Sequence, residues 1–214
     1  MLKVCEMFYS IQGESTYAGL PCFFIRLAGC NLICNHCDTV YACETVTAES
    51  LTPDEITTRA LAVSVPLVEI TGGEPLLQNE VHQLIGGLLR AGKQVLLETN
   101  GSRDISLVDE RVTVIMDVKT PSSGMSASFL KSNLTNLRPH HQVKFVIYDE
   151  SDYQWSSDFL RDRLLDFPGE VLFGPVAGGL APGKLADLIL ADHLPVRLQL
   201  QLQRILWPEI SRGK

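Results

Sequence analysis

The run LVEITGGEPLLQNEVHQLIGGLLRAGKQVLLE, from Leu67 to Glu98, decides the fold class. It opens on a short apolar, β-rich segment, Leu67 to Thr71, and crosses the glycine-rich turn Gly72-Gly73-Glu74-Pro75. It then reads as helical from Asn79 to Arg90, with Gly92 as the stop, and closes on a second apolar segment, Gln94 to Glu98. The same order extends outward in both directions. Strands are predicted at Val4 to Ile11, Cys22 to Leu27, Val112 to Val118, Val143 to Tyr148, Val171 to Phe173 and Val196 to Leu200. Helices are predicted at Pro53 to Val63 behind the Thr52 cap, at Asp152 to Leu165 and at Gly183 to Ala191. Strands that are apolar on both faces and alternate with helices imply an α/β architecture, a mainly parallel sheet with helices outside. A closed eight-fold barrel takes about 250 residues. The 214 residues here give about six units after a hairpin-like start, so the expectation is a partial, open (β/α) barrel. Pro121-Ser122-Ser123-Gly124 reads as a flexible loop. Ligands of such sheets gather at the carboxyl ends of the strands.

With 45% hydrophobic and 20% charged residues, the chain can bury one sizeable core, and a single domain over residues 1–214 is the default. The formal charge of −7, with no basic stripe, argues against a nucleic-acid partner. Met1-Leu2-Lys3-Val4-Cys5-Glu6 lacks the apolar run of a secretory signal. No stretch approaches the about 20 apolar residues that span a bilayer, so the expected location is cytoplasmic, without a membrane partner. A reducing compartment keeps thiols free, which makes clustered cysteines ligands or catalysts before staples.

Three of the six cysteines fall within Cys30-Asn31-Leu32-Ile33-Cys34-Asn35-His36-Cys37, spaced CxxxCxxC on a loop directly after a predicted strand. Such closely spaced thiolates can wrap one metal centre, and soft sulfur selects zinc or iron–sulfur. A structural zinc needs a fourth ligand, here His36, which is strained by its adjacency to Cys37, or Cys43. A [4Fe-4S] cluster held by Cys30, Cys34 and Cys37 leaves one iron open to a chelating ligand, and this reading is the one adopted. Cys5, Cys22 and Cys43 read as small buried hydrophobes, with Cys43 kept as the minor candidate for a fourth ligand.

The cysteine spacing, followed one βα unit later by Thr71-Gly72-Gly73-Glu74-Pro75, resembles the radical S-adenosylmethionine superfamily. The resemblance implies that S-adenosylmethionine chelates the open iron through its amino and carboxylate groups. It also implies that the glycine-rich element, through Gly73 and Glu74, contacts the methionyl amino group; glycines allow close approach and the loop offers polar groups to a cation. His36 stands at a position usually aromatic in the superfamily, where an imidazole can lie flat near the adenine; the alternative is a solvated loop residue.

Further segments carry a finer resemblance: Phe8-Tyr9-Ser10-Ile11-Gln12-Gly13-Glu14-Ser15, Phe24-Ile25-Arg26, Cys37-Asp38-Thr39, Glu98-Thr99-Asn100-Gly101, Lys119-Thr120-Pro121-Ser122-Ser123-Gly124 and the tail Leu200 to Trp207. Together, and in this order, they resemble the 7-carboxy-7-deazaguanine synthase family over nearly the whole chain. That resemblance implies conversion of 6-carboxy-5,6,7,8-tetrahydropterin to 7-carboxy-7-deazaguanine with loss of ammonia, on the route to queuosine and related deazapurines. The implied cofactors are a [4Fe-4S] cluster, S-adenosylmethionine and Mg²⁺. The implied partners are an electron donor such as a flavodoxin or ferredoxin and a second copy of the chain.

Residue by residue, the resemblance assigns the S-adenosylmethionine side to His36, Cys37, Asp38, Gly73, Glu74, Asp117, Val118, Lys119, Gly174, Pro175 and Val176. Where the family has Ser-Pro-Lys this chain has Asp117-Val118-Lys119, so a contact there runs through the backbone. Thr39 is the implied Mg²⁺ contact, with a turn or cap role as the plain alternative. The substrate side takes Ile11, Gln12, Gly13, Glu14, Arg26, Thr71, Gln203 and Lys214. Arg26 suits a bidentate grip on the substrate carboxylate, against a surface salt bridge. Glu14 has helix capping as its rival role. Gln203 replaces a family histidine; it can hydrogen-bond but carries no proton at neutral pH. Lys214 brings the terminal carboxylate, against the frayed tail usual at termini. Two rival functions share the cysteine spacing: an activase that installs a glycyl radical on a partner protein, and a non-enzymatic zinc-binding module.

Overall fold

The computed structural model describes residues 1–210, 212 and 213. Nine strands form one sheet: β1 (Leu2–Ile11), β2 (Pro21–Leu27), β3 (Glu49–Leu51), β4 (Leu67–Gly72), β5 (Gln94–Thr99), β6 (Thr113–Asp117), β7 (Gln142–Ile147), β8 (Glu170–Pro175) and β9 (Arg197–Leu198), in the order β3-β1-β2-β4-β5-β6-β7-β8-β9. The β1–β2 and β1–β3 ladders are antiparallel. The six ladders from β2–β4 to β8–β9 are parallel. The two ends of this order, β3 and β9, do not pair with each other, so the barrel is open, as expected. β3 escaped the sequence reading because three residues are too few to show a period.

The helices are α1 (Pro53–Leu61), α2 (Val81–Arg90), α3 (Glu150–Arg163), α4 (Pro182–Ala191) and α5 (Leu202–Leu206). α1 begins where a capping box fixes it: Thr52 Oγ1 accepts from Glu55 N at 3.2 Å while Glu55 Oε2 accepts from Thr52 N at 2.7 Å. α3 starts two residues before the expected Asp152 because Asp149 is its cap, accepting from Asp152 N at 2.9 Å. The β5–β6 and β6–β7 crossovers contain only loops and short 3₁₀ turns.

Alternation along the inner strands sorts the side chains. Val68, Ile70, Val95, Leu97, Val114, Met116, Val143 and Phe145 point outward and pack with Leu84, Ile85 and Leu88 of α2, Leu160 of α3 and Leu185 of α4. Each such fully buried aliphatic or aromatic side chain contributes about 1.5–3 kcal/mol by leaving water. The opposite face begins with a small apolar plug of Cys22, Phe24, Leu67, Leu96 and Ile115. Toward the carboxyl ends that face turns polar: Glu69 and Thr71 on β4, Glu98 on β5, Asp117 on β6 and Lys144 on β7 line a cavity. Strands β4 to β7 are therefore not apolar on both faces, a correction to the sequence reading: each of these four carries a charge in the inward phase.

Pro121–Ser123 is a pinned 3₁₀ turn rather than a flexible loop. Gly124 closes it at φ 76°. The buried Asp152 accepts from Ser122 N at 3.0 Å, Thr120 Oγ1 at 2.9 Å, Tyr148 N at 3.0 Å and Ser122 Oγ.

Candidate active site

A cavity of about 450 Å³ opens at the carboxyl ends of the inner strands, a volume in the range of small-molecule sites. Cys30, Cys34 and Cys37, on the loop leaving β2, all line it. The glycine-rich turn after β4 lies against the start of that loop: Gly73 N donates to Leu27 O at 3.1 Å and Glu74 N to Gly29 O at 2.8 Å. A Cβ on Gly72 would sit 2.1 Å from Leu27 O, and one on Gly73 2.2 Å from Gly29 O. The close approach that these glycines allow is thus to the cysteine loop itself. Glu74 is fully buried; its carboxylate accepts from Leu76 N at 2.9 Å, Thr99 Oγ1 at 2.9 Å and Asn100 N at 2.7 Å, and so braces the turn.

The thiols meet donors and positive charge. Cys30 Sγ accepts from Leu32 N at 3.5 Å and Asn100 Nδ2 at 3.8 Å. Burial pushes the Cys34 thiol up, and the Lys119 ammonium offsets this only in part. Three thiols on one loop, facing one cavity, with N–H donors at one sulfur and a cation near another, fit a thiolate-held cluster. Cys43, read as a structural hydrophobe, lines the same cavity; burial and the neighbouring Cys37 and Cys30 push its thiol up to about 12. Cys22 is fully buried, as expected of a small hydrophobe. Asn35 anchors the loop's middle, its N–H donating to Ser123 O at 3.0 Å and its Nδ2 to Ser122 O at 2.9 Å.

Around the cysteines, His36 stacks on Tyr148 with ring centroids 4.1 Å apart, so it is not a free solvated residue. Thr39 Oγ1 lies 3.8 Å from Cys37 Sγ, and both residues line the cavity. Asp38 Oδ2 accepts from Arg204 at 3.4 Å. Of Asp117-Val118-Lys119, the outer two line the cavity and pair at 2.8 Å, whereas Val118 is buried in the core on the outer side of the sheet. Of Gly174-Pro175-Val176, Val176 lines the cavity, and Gly174 abuts Gln199.

The other group lines the same cavity. Ile11, Gln12, Gly13, Glu14, Arg26, Thr71 and Gln203 are among its lining residues; Lys214 lies outside the described residues. Arg26 Nε donates to Glu6 Oε1 at 2.8 Å, and Tyr41 Oη donates to the same oxygen at 2.9 Å. The salt bridge is present, but on the cavity wall, and the terminal guanidinium nitrogens make no hydrogen bond among the described residues. Glu14 is not a helix cap: its carboxylate accepts from Lys144 at 3.0 Å and from Gln199, Gln201 and Gln203 at 3.0, 2.9 and 3.1 Å. Those three glutamines tie the tail to the Gln12–Glu14 loop, where Leu202 N also donates to Gly13 O at 3.0 Å. Thr71 Oγ1 donates to Glu98 at 2.9 Å.

Glu69, Glu98, Lys144 and Tyr148 were given no role by the sequence reading. The first three had a detectable signal, one charge in the inward phase of an otherwise apolar strand. Lys144 is 5% exposed and contacts Glu14, Glu98 and, at 3.8 Å, Asp117. Burial alone would lower its value, but these carboxylates hold it well above the ordinary one. Burial opposes ionisation of Glu98 as well, yet Lys144 and the Thr71 bond bring it to about 2. Glu69, on the adjacent strand, goes the other way: burial first, then the Glu98 charge, push its carboxyl well above 4.5.

The model of the Radical SAM superfamily matches residues 24–131, which include the cysteine loop and the glycine-rich turn. Fold and site thus define the class, a radical S-adenosylmethionine enzyme. Among curated relatives, the 7-carboxy-7-deazaguanine synthase of Chlorobaculum tepidum is 45% identical, covering 99% of this chain and 97% of its own length. That of Koribacter versatilis is 39% identical, covering 99% and 100%. The crystal structure of QueE from Escherichia coli matches with a TM-score of 0.77 at 22% identity, over 94% of this chain and 93% of that one. Streptococcus suis SuiB bound to S-adenosylmethionine matches with a TM-score of 0.53 at 15% identity, over 85% of this chain and 51% of that one. The chain belongs to the 7-carboxy-7-deazaguanine synthase family.

Proposed function

We propose that the chain converts 6-carboxy-5,6,7,8-tetrahydropterin to 7-carboxy-7-deazaguanine with loss of ammonia. The observation that carries this reading, beside family membership, is that the three thiols and the Arg26 guanidinium line one cavity, so that a carboxylated heterocycle and a sulfur-held cluster share an enclosure. When bound at Cys30, Cys34 and Cys37, a [4Fe-4S] cluster with S-adenosylmethionine supplies a carbon-centred radical by one-electron reductive cleavage.

The chain's own residues bind, orient and shield. Arg26 would hold the substrate carboxylate through its terminal nitrogens, with Glu6 and Tyr41 fixing the plane of the guanidinium. Gln203 would hydrogen-bond the substrate without moving a proton; its place on the cavity lining supports this, although its Oε1 is shut against Gly13 and its Nε2 donates to Glu14, so the side chain would have to turn to reach a ligand. Lys144, with three carboxylates around it, stays protonated and holds Glu98 ionised. Thr39 is the proposed protein oxygen on Mg²⁺, an ion that keeps water and ligand oxygens beside few protein ligands. His36, Asp38, Gly73 and Lys119 would face S-adenosylmethionine; their nearness to the cysteines supports this. A flavodoxin or ferredoxin as electron donor, a homodimeric state and a cytoplasmic location complete the proposal, on the family resemblance. Among the described residues no helix is long and apolar enough to cross a membrane.

The deciding experiment is an anaerobic assay of the reconstituted protein with carboxytetrahydropterin, S-adenosylmethionine, Mg²⁺ and a reductant. Formation of the deazaguanine product is expected; cleavage of S-adenosylmethionine without product overturns the substrate.

A further inference from the structure

Glu69 is a buried carboxyl group that the proposed chemistry leaves unused. It projects inward from the middle of β4, is 4% exposed and lines the cavity. Its two oxygens have different surroundings. Oε2 accepts from Gln12 Nε2, and the orientation of that carboxamide is fixed because Gln12 Oε1 accepts from Glu14 N at 2.9 Å. Oε1 has no hydrogen-bond partner among the described residues, yet it is not among the buried unpartnered atoms, so it opens onto the cavity.

The charges around it favour the neutral form. Glu98 on β5 and Glu14 on the β1–β2 loop face it with negative charge, while the cations within reach, Lys144 on β7 and Arg26 on β2, are paired with Glu98, Glu14 and Glu6. Two neighbouring carboxyls in a low-dielectric site do not both ionise, and Lys144 has taken Glu98 as its partner. Because Oε2 is an acceptor for Gln12, the acid proton resides on Oε1, the oxygen that faces the cavity.

We infer that Glu69 is a specificity-determining residue for the heterocycle: a carboxylic acid whose Oε1–H donates a hydrogen bond to an acceptor atom, a carbonyl oxygen or an imine nitrogen, of the bound ring. This rests on the proposed substrate class and adds a donor that selects for an acceptor on the ring. An amide is the neutral isostere. In Glu69→Gln the side-chain oxygen can take the Gln12 bond and the amide N–H can face the cavity, whereas Glu69→Val removes the donor altogether.

The test measures equilibrium binding of carboxytetrahydropterin to the reconstituted wild type and to both variants, without S-adenosylmethionine, folding being checked by circular dichroism. It adds an infrared difference spectrum of wild type against Glu69→Gln. Expected are a protonated-carboxyl band present only in the wild type, Glu69→Gln binding within about threefold of it, and Glu69→Val weaker by about tenfold, the loss of one hydrogen bond. A wild type lacking that band, or a folded Glu69→Val that binds as tightly as the parent, overturns the inference. A wild type that binds no pterin at all instead strikes the proposed substrate and, with it, the ligand assigned to Glu69; the infrared band then still reports whether the carboxyl is neutral.

Discussion

Asp152→Ala is a perturbation whose cost can be worked from the structure. The carboxylate is 1% exposed and joins the turn after β6, the end of β7 and the start of α3. It accepts from Ser122 N and Tyr148 N, both at 3.0 Å, from Thr120 Oγ1 at 2.9 Å and from Ser122 Oγ. Hydrogen bonds to a charged group contribute about 1.5–3 kcal/mol each, which sets an upper bound well above 5 kcal/mol for the set. Three effects reduce it. Thr120 Oγ1 has a second acceptor in Val146 O at 3.1 Å. Ser122 is half-buried and can turn to water. Removing the acid also removes its own desolvation cost. The net expectation is a loss of about 3 kcal/mol, more than a hundredfold in the folding equilibrium. Asp152→Asn, which keeps one acceptor oxygen, should lose about half as much. Urea unfolding of the cluster-free protein, with m-values compared, reads both. Since Ser122 and Ser123 hold Asn35 of the cysteine loop, reconstituted Asp152→Ala should also release iron faster on chelation. A loss below about 1 kcal/mol, or equal losses in both variants, would refute the reasoning.

Other expectations follow from the same geometry. Glu69 keeps in the fold a proton that the unfolded chain releases above 4.5, so its contribution makes stability fall as pH rises from there; Glu69→Gln should flatten urea midpoints between about pH 5 and pH 8. Glu98 has the opposite sign: its stabilisation is present above 4.5 and is lost as pH falls toward about 2, so Glu98→Gln should blunt the acid limb of the same curve. Cys34→Ala should reconstitute without cluster absorbance and cleave no S-adenosylmethionine; full iron content would remove Cys34 from the ligand set. Glu6→Gln loosens the Arg26 guanidinium, and KM for the pterin should rise about fivefold with kcat less affected.

Much was legible in the sequence because it depends on local order. Thr52 announces the start of α1, Gly92 follows the end of α2, and the apolar runs give the inner strands to within a residue or two. CxxxCxxC marked the cysteine loop that lines the cavity, because three thiols on eight residues cannot be far apart, and the glycine-rich turn stood at the strand end where such a sheet gathers its ligands. What the string could not display is which strand faces share one space. Glu69, Glu98 and Lys144 look like single blemishes in apolar runs until the parallel register puts them on one inner face.

The sequence by itself therefore determined the class of fold, the cysteine spacing and the family, all carried by spacings of a few residues or by the order of segments. Only the tertiary structure decided which charges share the cavity, the pairing of Arg26 with Glu6, and the fastening of the tail glutamines to Glu14 across more than 180 positions. The physical reason is that charge states follow from burial and from neighbours in space. A chain written in one dimension lists the charges without their distances.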